Sequence, residues 1–424
     1  MGTIAFVIHP FLKAERVKGR SIDSKLEELV GLAGAIDLDV RLQEVVPITR
    51  INAGTYFGKG TVERIRKMVA EVQIEVVCID TGISPVQQRT LEKSINAKVI
   101  DRTGLILEIF GERAVTKEGV LQVELAHLKY QRSRLVRTWT HLERQRGGVG
   151  FLGGPGETQI EADRRIISDR IGKIEKELQT VTRTRKLHRG ARGRIPYPIV
   201  ALVGYTNAGK SSLFNQLTNS KELAKDLLFA TLDPKMRQLK LPSRRSIILS
   251  DTVGFVSELP TMLIASFRAT LEEVIAADVI IHVRDISHPD TEAQKQDVLK
   301  VLGELGVDVT DDIKFIEVLN KIDLLEKTDL LRIQNIAIRN KKVVPVSAKT
   351  GENTDWLFRE IDELLSFERT VVTLKLPYVE GKGIAWLYRN SEVLERKDLL
   401  DCVKFRVSIF SQELERFQKN FNSS

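Results

Sequence analysis

The feature that most constrains this chain is the run GYTNAGKSS, which starts at Gly204. It fits G-x-x-x-x-G-K-[ST] through Gly204, Gly209, Lys210 and Ser211. It follows the apolar run Ile199 to Val203 and precedes a helix-like run, Ser212 to Leu217. A strand, a glycine loop and a helix in that order form a phosphate-binding element. Glycine lets the backbone take special dihedrals and come close to a phosphate. Loop N–H groups and the N-terminus of the next helix then point at the anion. The expected setting is a doubly wound α/β sheet.

Three more motifs follow in order: DTVG from Asp251, NKID from Asn320 and SAK from Ser347. Asp251 ends the apolar run Ile247 to Leu249, and Asn320 and Asp323 follow the run Phe315 to Leu319. Lys210 offers a point charge to the β- and γ-phosphates. Ser211 offers a hydroxyl to magnesium, a cation that keeps several waters and few protein ligands. Asp251 sits where a carboxylate holds that magnesium through water, and the Gly254 N–H can sense the γ-phosphate. Asp323 can accept from the ring N–H and exocyclic amine of guanine, a donor pair that adenine lacks. Lys321 can lay its stem along the base, and Ser347 and Ala348 can present N–H groups to the guanine carbonyl. Tyr205, Thr206, Asn207, Ala208, Ser212, Thr252, Val253 and Lys349 complete the expected nucleotide contacts. DTVG alone is weak, because D-x-x-G is common. Together, the four motifs predict GTP and GDP binding with Mg2+.

Two further stretches narrow the reading. FATLDP, from Phe229 to Pro234, lies between the phosphate loop and Asp251, where a first switch belongs. RGGVGFLGGPGETQIEADRR, from Arg146 to Arg165, precedes the nucleotide-binding unit. With the four motifs, this pairing resembles the HflX family of the Obg–HflX translation GTPases. The resemblance runs from near residue 40 to about residue 366. It is weaker over the first strand and the C-terminal segment. It implies a GTPase that binds the large ribosomal subunit and its rRNA, and that splits stalled or stressed ribosomes. No DNA partner is expected. It also implies that Lys210, Thr231 and Gly254 act in catalysis. Ser211, Thr231 and Asp251, the last through water, would hold magnesium, with Phe229 and Ala230 beside them. An RNA-binding or ribosome-assembly protein in which GTP only switches affinity is the rival of a different class. A tRNA-modifying GTPase has no Cys nucleophile or cofactor motif to support it.

One position departs from the common GTPase pattern. Many members carry Gln after D-x-x-G to orient the attacking water. Here the residue is Phe255, which cannot hydrogen-bond water, so slow intrinsic hydrolysis and an outside activator are expected. Asn207 resembles the Asn that binds potassium in some translation and tRNA-modification GTPases. Asn also suits a tight loop on its own account.

A length of 424 residues suggests two to four domains, and a 42% hydrophobic share is enough for real cores. Cys78 and Cys402, far apart, read as buried thiols in a reducing compartment. No run approaches the roughly 18 apolar residues of a membrane span. The start MGTIAFVIHP shows no signal or transit pattern, and Phe6 breaks the myristoylation pattern. A cytoplasmic protein is expected. Net charge is +8, yet 17 Lys and Arg face 7 Asp and Glu between Leu128 and Ile195. The rest of the chain is therefore slightly acidic. A concentrated basic segment is a footprint for phosphate backbone, with a solvated helix face as the bland alternative.

Residues 1–115 alternate strand-like and helix-like runs and predict a mostly parallel α/β domain. GTYFGKGTVE, from Gly54, reads as the start of a helix or an RNA-contact loop, with a second nucleotide site as runner-up. Residues 116–196 carry heptads: Leu121, Leu128, Leu135 and Leu142, then Ile160, Ile167, Ile174 and Val181. They predict an antiparallel helical hairpin with a glycine-rich tip, Gly147 to Gly156. Its apolar faces meet, so its Arg side chains should point outward. Residues 197–367 form the expected GTPase domain, and 368–424 a small α/β domain that ends in a polar tail.

Overall fold

In a computed structural model, residues 2–12, 20–145, 155–192, 197–220, 229, 235–257, 273–307, 314–366 and 369–421 are described. Within those ranges, the side chains of 136–145, 155–160, 182, 185–192, 369–370 and 410–412 are not. Ala230, Thr231, Phe151 and residues 146–154 of the tip lie outside the described residues.

The N-terminal sheet takes β1 (Ile4–Leu12), β2 (Asp39–Ile48), β3 (Val76–Ile79) and β4 (Lys98–Asp101), all parallel, in the order β2-β1-β3-β4. The helices between them are α1 (Ile22–Gly34), α2 (Lys59–Val72) and α3 (Pro85–Ile95). Pro85 opens α3 behind Ser84, which forms a capping box with Gln87. The Gly54 segment leads into α2, and Tyr56 and Phe57 turn inward to the core. α4 (Arg102–Arg113) is capped by Asp101, whose side chain accepts from the Gly104 N–H.

α5 (Lys117–Gln145) and α6 (Pro155–Arg192) form the hairpin, packed through Leu121, Leu125, Ile171 and Ile174. α6 begins at Pro155, so Pro155 and Gly156 are helical rather than part of the tip. The expectation that the Arg side chains point outward needs correction at Arg134, whose side chain is largely covered. Arg134 folds back to Asp101, and Lys129 and Arg170 pair across the hairpin with Glu175 and Glu124. Asp101 also accepts from the Tyr130 hydroxyl, so α5 is pinned to the end of β4. Arg164, Arg165 and Arg183 are exposed as expected.

The second sheet contains β5 (Ile199–Gly204), β6 (Lys235–Lys240), β7 (Ser246–Asp251), β8 (Val279–Asp285), β9 (Phe315–Asn320) and β10 (Val343–Pro345). Its order is β10-β9-β8-β5-β7-β6, and only β6 is antiparallel to its neighbour. β5 and β8, at the centre, are buried and rich in apolar residues, as parallel strands covered on both faces require, whereas the antiparallel edge strand β6 is largely exposed. α7 (Lys210–Thr218), α8 (Thr291–Glu304), α9 (Lys327–Arg339) and α10 (Thr354–Ser366) accompany it. One contiguous core runs from Leu29 and Phe110 of the N-terminal unit into Val200 and Phe214.

The third sheet is antiparallel, β11 (Arg369–Pro377), β13 (Cys402–Phe410) and β12 (Glu392–Asp398), with α11 (Gly381–Asn390). Residues 411–421 correct the polar-tail expectation: they form α12 (Ser411–Phe421). Phe417 is fully buried against Trp386 and Phe421. This unit grips the β6–β7 turn through the buried Arg245, which meets Glu392 and Ser408. Cys78 is buried, which pushes its thiol up to about 12, but Cys402 is only partly covered.

Candidate nucleotide site

β5 ends in the glycine loop, and α7 starts at Lys210, so the helix N-terminus faces the loop. Gly209 has φ +90°, and a Cβ there would lie 2.2 Å from the Asn320 Nδ2. Both facts demand glycine. The Lys210 ammonium donates to the carbonyls of Gly204 at 3.1 Å and Tyr205 at 2.8 Å, filling the loop. Burial lowers its pKa to about 8, and Asp251 works against that shift. A buried ammonium whose partners are neutral carbonyls is suited to an arriving phosphate. The Thr206 hydroxyl is likewise buried in the loop, with no hydrogen-bond partner among the described residues.

Ser211 Oγ donates to Asp251 Oδ2 at 2.7 Å. Two hard oxygen donors thus converge from α7 and from the end of β7, which suits a magnesium ion. Gly254 passes close to the loop: a Cβ there would sit 2.9 Å from Lys210 Nζ. The next residues are pinned. The Phe255 N–H donates to the Gly204 carbonyl at 3.1 Å, and its carbonyl accepts from Thr206 N–H at 2.7 Å. The Phe255 ring is buried in the core. Thr252 is buried and donates to the Leu202 carbonyl.

At the base corner, Asn320 Nδ2 donates to the Ala208 carbonyl at 2.8 Å, and Asn320 Oδ1 accepts from Ala348 N–H at 3.0 Å. One side chain thereby ties the phosphate loop to the SAK segment. Ser347 Oγ donates to Asp323 Oδ1 at 2.6 Å and orients that carboxylate. Lys321 pairs with Asp285, and Lys349 is exposed. Asn207 is exposed with φ 60°, a left-handed conformation that Asn tolerates, so loop geometry alone accounts for its residue type.

Two expected nucleotide contacts point elsewhere. The Phe229 ring is buried edge-on against Phe110 of α4, with centroids 4.7 Å apart. The Tyr205 side chain leaves the loop toward α1. Its hydroxyl donates to Glu28 and accepts from Arg20 and from the Ser257 N–H. Burial, and then Glu28, push this phenol up, so it stays a neutral donor. Arg102 completes the group. It donates to Glu28, to Asp80 and to the Ser257 carbonyl and hydroxyl. Burial opposes its charge, but Asp80 and Glu28 outweigh that and raise its pKa. Glu28, Arg102, Arg20 and Asp285 were not signalled by any motif. Only Asp285 left a trace, a carboxylate that ends an apolar run as Asp251 does.

The chain matches four family models along its length. They are GTP-binding GTPase N-terminal over residues 23–111, GTP-binding GTPase Middle Region over 113–192, 50S ribosome-binding GTPase over 199–321 and HflX C-terminal domain over 332–422. A GTPase HflX of Magnetococcus marinus is 47% identical over 393 residues, 93% of this chain and 90% of that protein. The chain belongs to the HflX family of GTPases. A GTPase HflX of Escherichia coli is 43% identical, covering 84% of this chain and 82% of its own. A putative GTP-binding protein 6 of Xenopus laevis is 34% identical, covering 98% and 79%. A solved GTP-binding protein of Sulfolobus solfataricus in complex with GDP is 24% identical, covers 86% of this chain and 98% of its own, and superposes with a TM-score of 0.46. Family membership brings GTP binding and hydrolysis and a ribosome-binding GTPase domain. Among the described residues, no helix is long and apolar enough to cross a membrane.

Proposed function

We propose that the GTP-bound protein docks on the large ribosomal subunit through its basic hairpin and splits stalled or stressed ribosomes in the cytoplasm. Hydrolysis to GDP and phosphate then releases it. One observation carries this reading: the N-terminal unit holds the phosphate side of the site and the hairpin at once. Phe110 covers Phe229, Arg102 and Glu28 hold Ser257, and Asp101 holds Tyr130 and Arg134 of α5. A change at the γ-phosphate therefore has a short path to the hairpin.

In the reaction, water attacks the γ-phosphorus in line with the leaving oxygen. Lys210 balances the developing phosphate charge, and the Gly254 N–H contacts the γ-phosphate. Asn320, Lys321, Asp323, Ser347 and Ala348 hold the base. Ser211, Asp251 and Thr231 are the proposed magnesium ligands, Asp251 through water. Magnesium, when bound, neutralises charge between the β- and γ-phosphates. The buried Phe255 supports slow turnover by the isolated protein and a rise when large subunits are added.

Sucrose-gradient analysis of ribosomes with purified protein and GTP is the test. A shift to free subunits is expected with GTP and not with GDP. Protein that comigrates with intact ribosomes more with GTP than with GDP, while no free subunits appear, would instead favour the rival reading, in which GTP only sets affinity.

A further inference from the structure

Lys321 follows Asn320 and takes a left-handed backbone, φ 65° and ψ 35°. That conformation is disfavoured for a residue with a side chain. Its ammonium meets Asp285 Oδ2 at 2.7 Å, with side-chain exposures of 26% and 12%. No other carboxylate pairs with Lys321 among the described residues. Asp285 is the last residue of β8 and lies opposite Asn320 in register, and the next N–H, of Ile286, donates to the Asn320 carbonyl. Its other oxygen, Oδ1, accepts from the N–H and the hydroxyl of Ser287. The carboxylate is thus fixed on both sides. It also lines the same cavity as Thr206 and Asn207 of the phosphate loop. A carboxylate beside an anion site weakens anion binding unless a cation offsets it.

We infer that Asp285 is a positioning residue for the nucleotide: its ion pair sets the Lys321 stem over the base site before the ligand arrives. The inference rests on the reading above that places Lys321 against the base. A free lysine samples many rotamers, and fixing it only on binding weakens affinity. Asp285 removes that loss in advance. The effect belongs to GTP and GDP alike, because Lys321 lies on the base side and not at the γ-phosphate. Asp285 therefore sets uniform binding, not the chemical step.

Asp285→Asn tests this cleanly. The amide oxygen still accepts from Ser287, so the turn persists while the ion pair is lost. Titration with a fluorescent GDP and a fluorescent GTP analogue should show both dissociation constants raised about tenfold. KM should rise by the same factor, with kcat unchanged. In a Lys321→Met background, which should itself bind more weakly, Asp285→Asn should have no further effect or a small gain. If Lys321→Met weakens binding but Asp285→Asn does not, the inference fails alone. If the two losses multiply, Asp285 does not act through Lys321 and the inference also fails. If Lys321→Met leaves affinity unchanged, the placement of Lys321 fails and takes the inference with it. A melting curve for each variant separates lost folding from lost positioning, and Asp285→Glu, which keeps the charge, should recover part of the affinity.

Discussion

At the base corner, Asn320 bonds Ala348 and Ser347 bonds Asp323, all at or just past the ends of neighbouring strands of one sheet. At the phosphate side, the polar groups around Tyr205 and Ser257 reach partners on another unit, Glu28 and Arg102, 229 and 155 positions from Ser257. The first arrangement stands ready whatever the rest of the molecule does. The second exists only while the two units touch. On the proposed reading, recognition of guanine is a local property and response to the γ-phosphate a shared one. Motif reading finds the first kind of site and misses the second.

The largest test of the contrast is Arg102→Met. It removes the buried cation that Asp80 and Glu28 share and leaves them only His9 and Arg20, so stability should fall by about 3–5 kcal/mol in a denaturant titration. The shared side should open first, read as increased hydrogen exchange in α4 and near Ser257. Unchanged stability would break the claim that this cation holds the units together. Asp323→Asn probes the local side. Losing two charge-assisted acceptor contacts should weaken GTP about 100-fold, roughly 2–3 kcal/mol, and favour xanthine nucleotide. An unchanged GTP affinity sinks the assignment of the base residue.

A pH titration separates the two sides without a mutation. The Lys210 ammonium has its pKa lowered to about 8 by burial, and bound phosphate favours its charged form. Below that value the free protein already carries the proton, and this group adds no pH dependence. Above it, binding must take up a proton, so affinity should fall by up to about tenfold per pH unit. Calorimetry at pH 8.5 in two buffers of different ionisation enthalpy should report that uptake. The smallest effect belongs to Tyr205→Phe, which removes one buried hydroxyl. The ratio of GTP to GDP affinity should shift by only a few-fold, about 1 kcal/mol, while the preference for guanine over adenine stays fixed. A changed base preference would contradict the separation.

The legible parts of the chain share a physical cause. β5, β7 and β9 are largely buried apolar runs with a functional residue at or just past their ends, and the hairpin repeats every seven residues, so pattern alone places them. α4 escaped because Leu105, Ile106, Leu107, Ile109 and Phe110 are all buried, which leaves no one-sided stripe to detect. β12 escaped because EVLERKD is an exposed edge strand with charges on both faces. α12 escaped because few apolar residues, chiefly Leu414, Phe417 and Phe421, face its core. The packing of Phe229 is illegible for a different reason: its neighbour Phe110 is remote in sequence, and no local pattern marks a contact of that range.

The hairpin also works as a pointer. α6 spans 38 residues, about 57 Å at 1.5 Å per residue, and precedes β5, whose far end at Gly204 opens the phosphate loop. With α5 pinned to β4, the hairpin cannot swing apart from the N-terminal sheet. Each degree by which that sheet turns about the phosphate loop carries the far end of α6 through about 1 Å. A turn of a few degrees at the Ser257 end would thus carry the N-terminal end of α6 through several ångström.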